Sequence, residues 1–566
     1  MAKYEKFDLK AVAKRGEQYI INMVDASCDY LPYWYVQINE NPAYARHVRV
    51  DDAELVASWY EAIVCTICIL GDDADDRAYL VRDGLKRHLM KSWGEHGLRF
   101  HEPYPWSNIT HASFHEMGWV LAGLNRLQAE EPDNAEAEKR AAELVKGLRE
   151  LVYERKIKTF WSGDFVFEDK IYQFPSDLYI KDEGFVPERI TGRGEEAIRN
   201  AVLLQPLVLR AERMNDKTAL DLAEGLANYT LTMSRYFNYK GEFFGHIHSA
   251  VWFAMGLVRL GRLLGREFYI EKGYSIYSYV KRLSSEYGWV PEYAQWAPMS
   301  ETHCETCCIR DMIECALELI DCGYDEWDLV DKYTRNHLTE QQFTYGGFVA
   351  VDNSKEDLPD KTWKNLDKRI IGGWSGGGEA NSLSITKFRS IAGCCVGTAP
   401  QALYAVWERI AEKKADGLYI NLPMEKDCDA ARVDIGYPNE GYITITAKAD
   451  ADVFVRLYDW MGQRIEVSLN GEYIPLVCRS GCAYIKGVKK GDTVTVRHHI
   501  ETVKKCETVQ DKEYTVSWRG PDVVKIEPEG EHLRLYQREV GAKKYLPPRL
   551  GTGGGEMNMG PTTIKK

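Results

Sequence analysis

Between about Leu9 and Lys413 the hydrophobic positions recur with a helical period. Amphipathic runs cover residues 53–70, 112–128, 135–154, 196–214, 219–237, 249–264, 269–287, 308–321, 326–340 and 399–411. In each, apolar residues stand three and four apart, the spacing that lines one face of a helix. Asp51-Asp52 offers a side-chain acceptor for the N–H groups that open the first run. Short turns such as Asn215-Asp216 and Gly265-Arg266 join neighbouring runs into hairpins, while longer aromatic and Gly-rich segments such as 158–194 separate one hairpin from the next. About a dozen helices arranged this way predict a closed ring of helical hairpins, an (α/α)6 toroid, rather than a four-helix bundle. Binding and catalytic groups then belong among the long loops.

Past Asp416 the period changes to alternation, as in Gly441-Tyr-Ile-Thr-Ile-Thr-Ala-Lys448, Val453-Phe-Val-Arg-Leu-Tyr458 and Thr493-Val-Thr-Val-Arg497, with turn signals at Asn470-Gly471 and Lys490-Gly491-Asp492. Side chains that alternate inward and outward predict strands of a half-buried sheet. The expected fold is therefore mainly α, with the toroid over residues 1–414 and a β-sandwich over 415–545. Pro547-Pro548 and the glycines from Gly551 to Gly555 mark an irregular tail over 546–566.

Composition narrows the partners. The 72 Lys and Arg against 85 Asp and Glu leave a net charge of −13, which lacks the basic excess that neutralises nucleic-acid phosphates and disfavours anionic membranes. Ala62–Leu70 is the best apolar run and stops at Gly71-Asp72-Asp73, short of the ~18 residues a membrane span needs. The N-terminal Met1-Ala2-Lys3-Tyr4-Glu5-Lys6 carries charges where a signal peptide needs apolar residues, which predicts a cytoplasmic protein. A homo-oligomer is compatible with this composition.

The cysteines are sparse for a disulfide scaffold and unevenly placed: of 14, seven lie between Cys304 and Cys395, with adjacent pairs at Cys307-Cys308 and Cys394-Cys395. Such clusters bind metal or do chemistry more often than they cross-link. Glu301-Thr-His-Cys-Glu-Thr-Cys-Cys-Ile-Arg310 and Ala392-Gly-Cys-Cys-Val-Gly-Thr398 each precede a helix, where the positive end of the dipole favours thiolate. Together they can supply four ligands, although the spacing is not that of a zinc finger; buried inert thiols are the plainer alternative. Cys65 and Cys68, on an apolar helix, read as thiols of that inert kind.

These two segments resemble the signature of glycoside hydrolase family 127, the zinc-dependent β-L-arabinofuranosidases of the DUF1680 group. Val467-Ser-Leu-Asn-Gly471 and Arg519-Gly-Pro521 are similar to motifs of its β part, and the resemblance covers most of the chain in order. It implies Zn2+ held by Glu305, Cys307, Cys394 and Cys395. It further implies Cys394 as nucleophile and Glu292, in Trp289-Val-Pro-Glu-Tyr293, as general acid/base. Glu301 competes with Glu292 for that role, which the apolar neighbours of Glu292 favour. Of the histidines, His248 is the expected substrate contact, with His246 close behind and His111 a further candidate. His115-Glu116 reads equally as a pair on a helix surface. Trp374, with Trp161 and Trp296, is a candidate sugar platform in or near a Gly-rich loop.

The chain departs from the family pattern at Val396-Gly397-Thr398-Ala399-Pro400, where Pro-Pro-Asn is usual, and in two additional thiols, Cys304 and Cys308. Cys304 could replace Cys307 if the helix began differently. The implied function is a retaining exo-glycoside hydrolase acting on a small oligosaccharide or glycoside. Two rivals stand beside it: a toroid enzyme of unsaturated glucuronyl hydrolase or epimerase type, using carboxylates and histidines around structural zinc, and a non-catalytic carbohydrate-binding protein. No Walker loop, dinucleotide-binding glycine fingerprint or Gly-x-Ser-x-Gly elbow occurs.

Overall fold

A computed structural model describes residues 2–47, 51–107, 109–161, 165–186, 201–295, 303–383, 391–531 and 533–545. The expected sites at Trp296 and Glu301, the helical run from 196 to 200 and the tail over 546–566 lie outside these residues, as does the side chain of Trp161.

Twelve helices of seven or more residues stand among the described residues. They are α1 (Leu9–Asn22), α2 (Asp52–Leu70), α3 (Asp76–Leu89), α4 (Phe114–Glu130), α5 (Ala135–Leu151), α6 (Leu204–Met214), α7 (Lys217–Thr232), α8 (Ile247–Leu264), α9 (Glu267–Leu283), α10 (Thr306–Asp321), α11 (Trp327–Tyr333) and α12 (Gly393–Arg409). The even-numbered helices pack in sequence, α2 on α4, α4 on α6, α6 on α8, α8 on α10, α10 on α12, and α12 back on α2, closing an inner ring. The odd-numbered helices flank them from outside, as an (α/α)6 toroid requires.

Local chemistry sets the hairpins. Asn215 takes the left-handed conformation and Asp216 then caps α7 by accepting from the N–H groups of Thr218 and Ala219. Gly265, at φ 64°, ends α8 in the same left-handed region, which costs a glycine nothing. Asp51 gives α2 no side-chain cap. Instead the Ala53 N–H donates to the Glu116 carboxylate of α4, and Asp52 pairs with the buried Arg99. By length and composition α2 and α8 could each cross a membrane, contrary to the sequence expectation, but both are mostly buried within the ring. An inner helix touches neighbours on nearly every side, so it needs no polar face.

The first turns of α2, α4, α8, α10 and α12 meet at one mouth of the ring. At the other end a cavity of about 450 Å3 is lined by Arg126, Arg213, Arg259, Arg262, Arg310 and Arg409 together with Glu314 and Glu318. Cations there face the negative ends of the inner helices.

Beyond α12 the chain turns to strands. A five-stranded sheet takes 411–414, 417–420, 451–456, 482–488 and 478–479 in that spatial order, and a six-stranded sheet takes 426–427, 431–435, 442–447, 493–498, 465–469 and 472–474. The core is contributed from alternating positions, as in Ile443 and Ile445 against Val494 and Val496. A further three-stranded meander over 502–527 packs back on the toroid. There Asp522 pairs with Arg335 and Arg538, and the Asn336 side chain bonds the backbone at Pro521 and Val523. The segment expected as a loop from 158 onward instead enters a hairpin, Tyr153–Trp161 paired with Phe165–Gln173, whose second strand lies against α7. Its aromatic and β-branched residues are strand formers, and that propensity outweighed the loop signal.

Candidate metal and catalytic centre

Two helix starts build the centre. Glu305 is the N-cap residue of α10 and Cys307 lies in its first turn, while Cys394 and Cys395 occupy the first turn of α12. The packing of α10 on α12 brings the carboxylate and three sulfurs within 4.8 Å of one another. The Cys307 and Cys395 sulfurs are 3.7 Å apart, and Glu305 Oε1 lies 3.6 Å from Cys394 Sγ and 4.0 Å from Cys395 Sγ. A tetrahedral ion bonded to sulfur at ~2.3 Å and to oxygen at ~2.1 Å requires S···S near 3.8 Å and S···O near 3.6 Å. The donor set therefore fits a thiolate-binding cation with little adjustment.

The electrostatics of the bare cluster point the same way. Burial opposes charge at Cys395, yet hydrogen bonding from Cys307 and Cys394 draws its thiol down to about 6. Burial and its two thiol neighbours push Cys307 well up. At Cys394 the hydrogen bond with Cys307 lowers the thiol, but Cys395 and burial together outweigh it and hold it well above its usual range. With no cation among them the three sulfurs oppose one another's ionisation, and a bound cation would relieve that opposition. Glu305, despite burial, is brought down to about 2 by the His246 hydrogen bond and by the charges of His246 and His248. Thr398, one turn into α12, donates to Cys307 Sγ at 3.3 Å.

Access is unequal. Cys307 and Cys395 are fully buried, whereas Cys394 is partly exposed. Beside it, the strand Gly245–His246 pairs with Tyr293–Ala294, and Ile247 N–H donates to the Glu292 carbonyl. That short ladder sets Glu292, His246 and Glu305 with donor atoms within 4.8 Å of one another. His246 Nε2 lies 3.2 Å from Glu305 Oε2 and its Nδ1 lies 3.1 Å from Ser249 Oγ.

His248 points elsewhere. It is buried against Trp119 and Trp252, and its Nδ1 bonds Asp311, a partner that the sequence reading missed. Burial opposes its charge, but the Asp311 carboxylate more than compensates and raises the imidazolium to about 9. The i, i+2 spacing thus gives His246 to Glu305 and His248 to Asp311, while their two rings stay in edge contact with centroids 5.5 Å apart. His111, half-buried, lies beside His101, their ring centroids 4.7 Å apart. His115, read as a possible surface residue, bonds Glu54 at 3.1 Å.

Trp374 is corrected by the structure. It is fully buried, stacked over Gly16 where even a Cβ would clash, and its indole N–H donates to the Leu338 carbonyl, so it presents no face to a sugar. Cys304 does not replace Cys307. It is buried between residues 290–291 and Gly378 and accepts the Val290 N–H. Cys308 Sγ lies 3.9 Å from Glu305 Oε2, on the border of the cluster.

No protein-family model matches the chain, and no curated protein matches it. Solved structures do. A family 127 β-arabinofuranosidase aligns over 91% of this chain and 81% of its own, with TM-score 0.58 at 16% identity. A family 127 β-L-arabinofuranosidase from Geobacillus stearothermophilus aligns over 90% and 80%, with TM-score 0.54 at 14% identity. A further glycoside hydrolase aligns over 88% and 84%, with TM-score 0.56 at 13% identity. Over about nine-tenths of its length, then, the chain shares its fold with glycoside hydrolases, two of them β-arabinofuranosidases of family 127.

Proposed function

We propose that the chain is a zinc-dependent, retaining exo-glycoside hydrolase that removes a terminal β-L-arabinofuranosyl or closely similar residue from a small glycoside. The observation that carries this reading is the inequality within the cluster: three sulfurs and a carboxylate at tetrahedral spacing, with only Cys394 of the three cysteines partly exposed, and with Glu292 within 4.8 Å of the same Glu305 carboxylate. Glu305, Cys307, Cys394 and Cys395 would hold the zinc, which supplies the positive charge that keeps the thiols ionised.

In the first step Cys394 sulfur attacks the anomeric carbon as the bond to the leaving oxygen breaks, and Glu292 gives its proton to that oxygen. In the second, Glu292 takes a proton from water, the water oxygen bonds the anomeric carbon, and the carbon–sulfur bond breaks to restore the thiolate. Two inversions give net retention, with sulfur in the place that a second carboxylate usually holds. His246, bonded to Glu305, is placed to orient both the ligand carboxylate and a sugar hydroxyl.

A panel of aryl glycosides tests the reading. Cys394→Ser is expected to lower turnover by at least ~10³-fold. Zinc measured on the same sample separates loss of the nucleophile from loss of the ion. Glu292→Gln should cost ~10² to 10⁴-fold on poor leaving groups while sparing activated ones. Undiminished turnover of the Cys394 variant would remove sulfur from the chemistry and favour a mechanism built on Glu292 and His246.

A further inference from the structure

The same mouth of the ring holds another cluster of metal-ligating groups, apart from the cysteines. We infer that His101, His111 and Glu116 form a second site for a divalent transition-metal ion, one ligated by nitrogen and oxygen only.

Three local structures converge on it. Glu116 lies in the first turn of α4, His111 opens the strand His111–Ser113 just before that helix, and His101 is tied to His111 through its backbone N–H on the His111 carbonyl at 3.2 Å. The three side chains offer one donor atom each, all within 4.8 Å of one another. His101 Nε2 stands 2.9 Å from both Glu116 oxygens. An ion bound to imidazole and carboxylate at ~2.0–2.1 Å sets such donors about 3.4 Å apart, so His101 and Glu116 need part by only about half an ångström to admit one.

Burial and contacts also suit the role. His101 and Glu116 are buried against each other, the imidazole Nε2 facing the carboxylate. His111 has no hydrogen-bond partner for either ring nitrogen among the described residues, and burial beside His101 lowers its affinity for a proton. A partly exposed imidazole next to a buried carboxylate offers an ion both nitrogen and oxygen donors. The Ala53 N–H on Glu116 Oε2 holds that carboxylate in position from α2, the support that ligating carboxylates generally have. Two histidines and one glutamate would leave a tetrahedral ion one further position, and the borderline donors favour zinc, iron(II) or cobalt(II) over calcium or magnesium.

The test is metal stoichiometry, with the thiol cluster as internal reference. The chain is stripped with chelator, equilibrated with zinc, dialysed and assayed for metal. Two equivalents are expected for the natural sequence, one for H101Q/E116Q and one for C394S/C395S. Cobalt(II) titration gives a second readout that needs no variant: one equivalent with intense sulfur-to-metal charge transfer and a second with weak d–d bands alone. A single equivalent accompanied by charge transfer, or two equivalents retained in H101Q/E116Q, would overturn the inference. Loss of the thiol-bound equivalent alone would instead count against the thiol-bound ion of the proposed function.

Discussion

His248, expected from the sequence as a substrate contact, is also tied into the helix ring by a buried ion pair. Its imidazolium is held by buried Asp311, and Asp311 in turn pairs with Arg310, whose guanidinium lies over Trp252. A histidine raised in the folded chain from its ordinary value to about 9 contributes stability that is complete below pH ~6.5 and is lost as pH rises through 9. The contribution is up to about 3 kcal/mol. Urea midpoints measured from pH 6 to 10 should fall across this window, and Asp311→Asn should flatten the fall. An unchanged slope in the variant would place the pH dependence on another group. The family resemblance offered His248 as a substrate contact; nothing in the sequence marked Asp311, 63 residues on, as its partner.

At the scale of elements, α12 and α2 pack closest where side chains are smallest. A Cβ on Gly397 would lie 2.5 Å from Ser58 Oγ, and one on Gly393 would lie 3.0 Å from Leu55 Cδ2. Gly397→Val should therefore destabilise by ~1–3 kcal/mol or more, read by thermal unfolding, and should loosen the helix that carries Cys394 and Cys395. Glycine at 397 is thus the residue that this helix contact has room for. Much of this architecture was legible beforehand. The 3.6-residue period gave the helices, Asn215-Asp216 and Gly265 gave the turns, and the two cysteine segments gave the cluster, because all of these are local signals. What escaped were pairings across the ring: Glu116 capping α2, Asp311 on His248, and Trp374 sealed under α1. Burial of a tryptophan depends on what the fold lays over it, which no window of sequence contains. The 153–173 hairpin escaped for another reason, since its strand propensity was read as loop composition.

Across the whole molecule, the strand region is bolted to the toroid through charge in a dry setting. Asp522, fully buried, accepts from Arg335 at 3.3 Å and from Arg538 at 3.2 Å, while Arg335 also holds Asp331 and the Pro423 carbonyl. Asp522→Ala leaves two guanidinium groups short of a buried counter-charge and is expected to cost ~3–5 kcal/mol in urea unfolding, whereas Asp522→Asn should cost less. A loss below ~1 kcal/mol would show that water reaches the joint. The order of helices around the ring has a consequence for biosynthesis. The donors of the cysteine cluster sit on the fifth and sixth inner helices, and the sixth is the stave that completes the cask by seating against the first. A ribosome must therefore have delivered some four hundred residues before the four donors can meet, so any loading with an ion would be a finishing event, and a chain cut short before residue 394 leaves the factory without two of them.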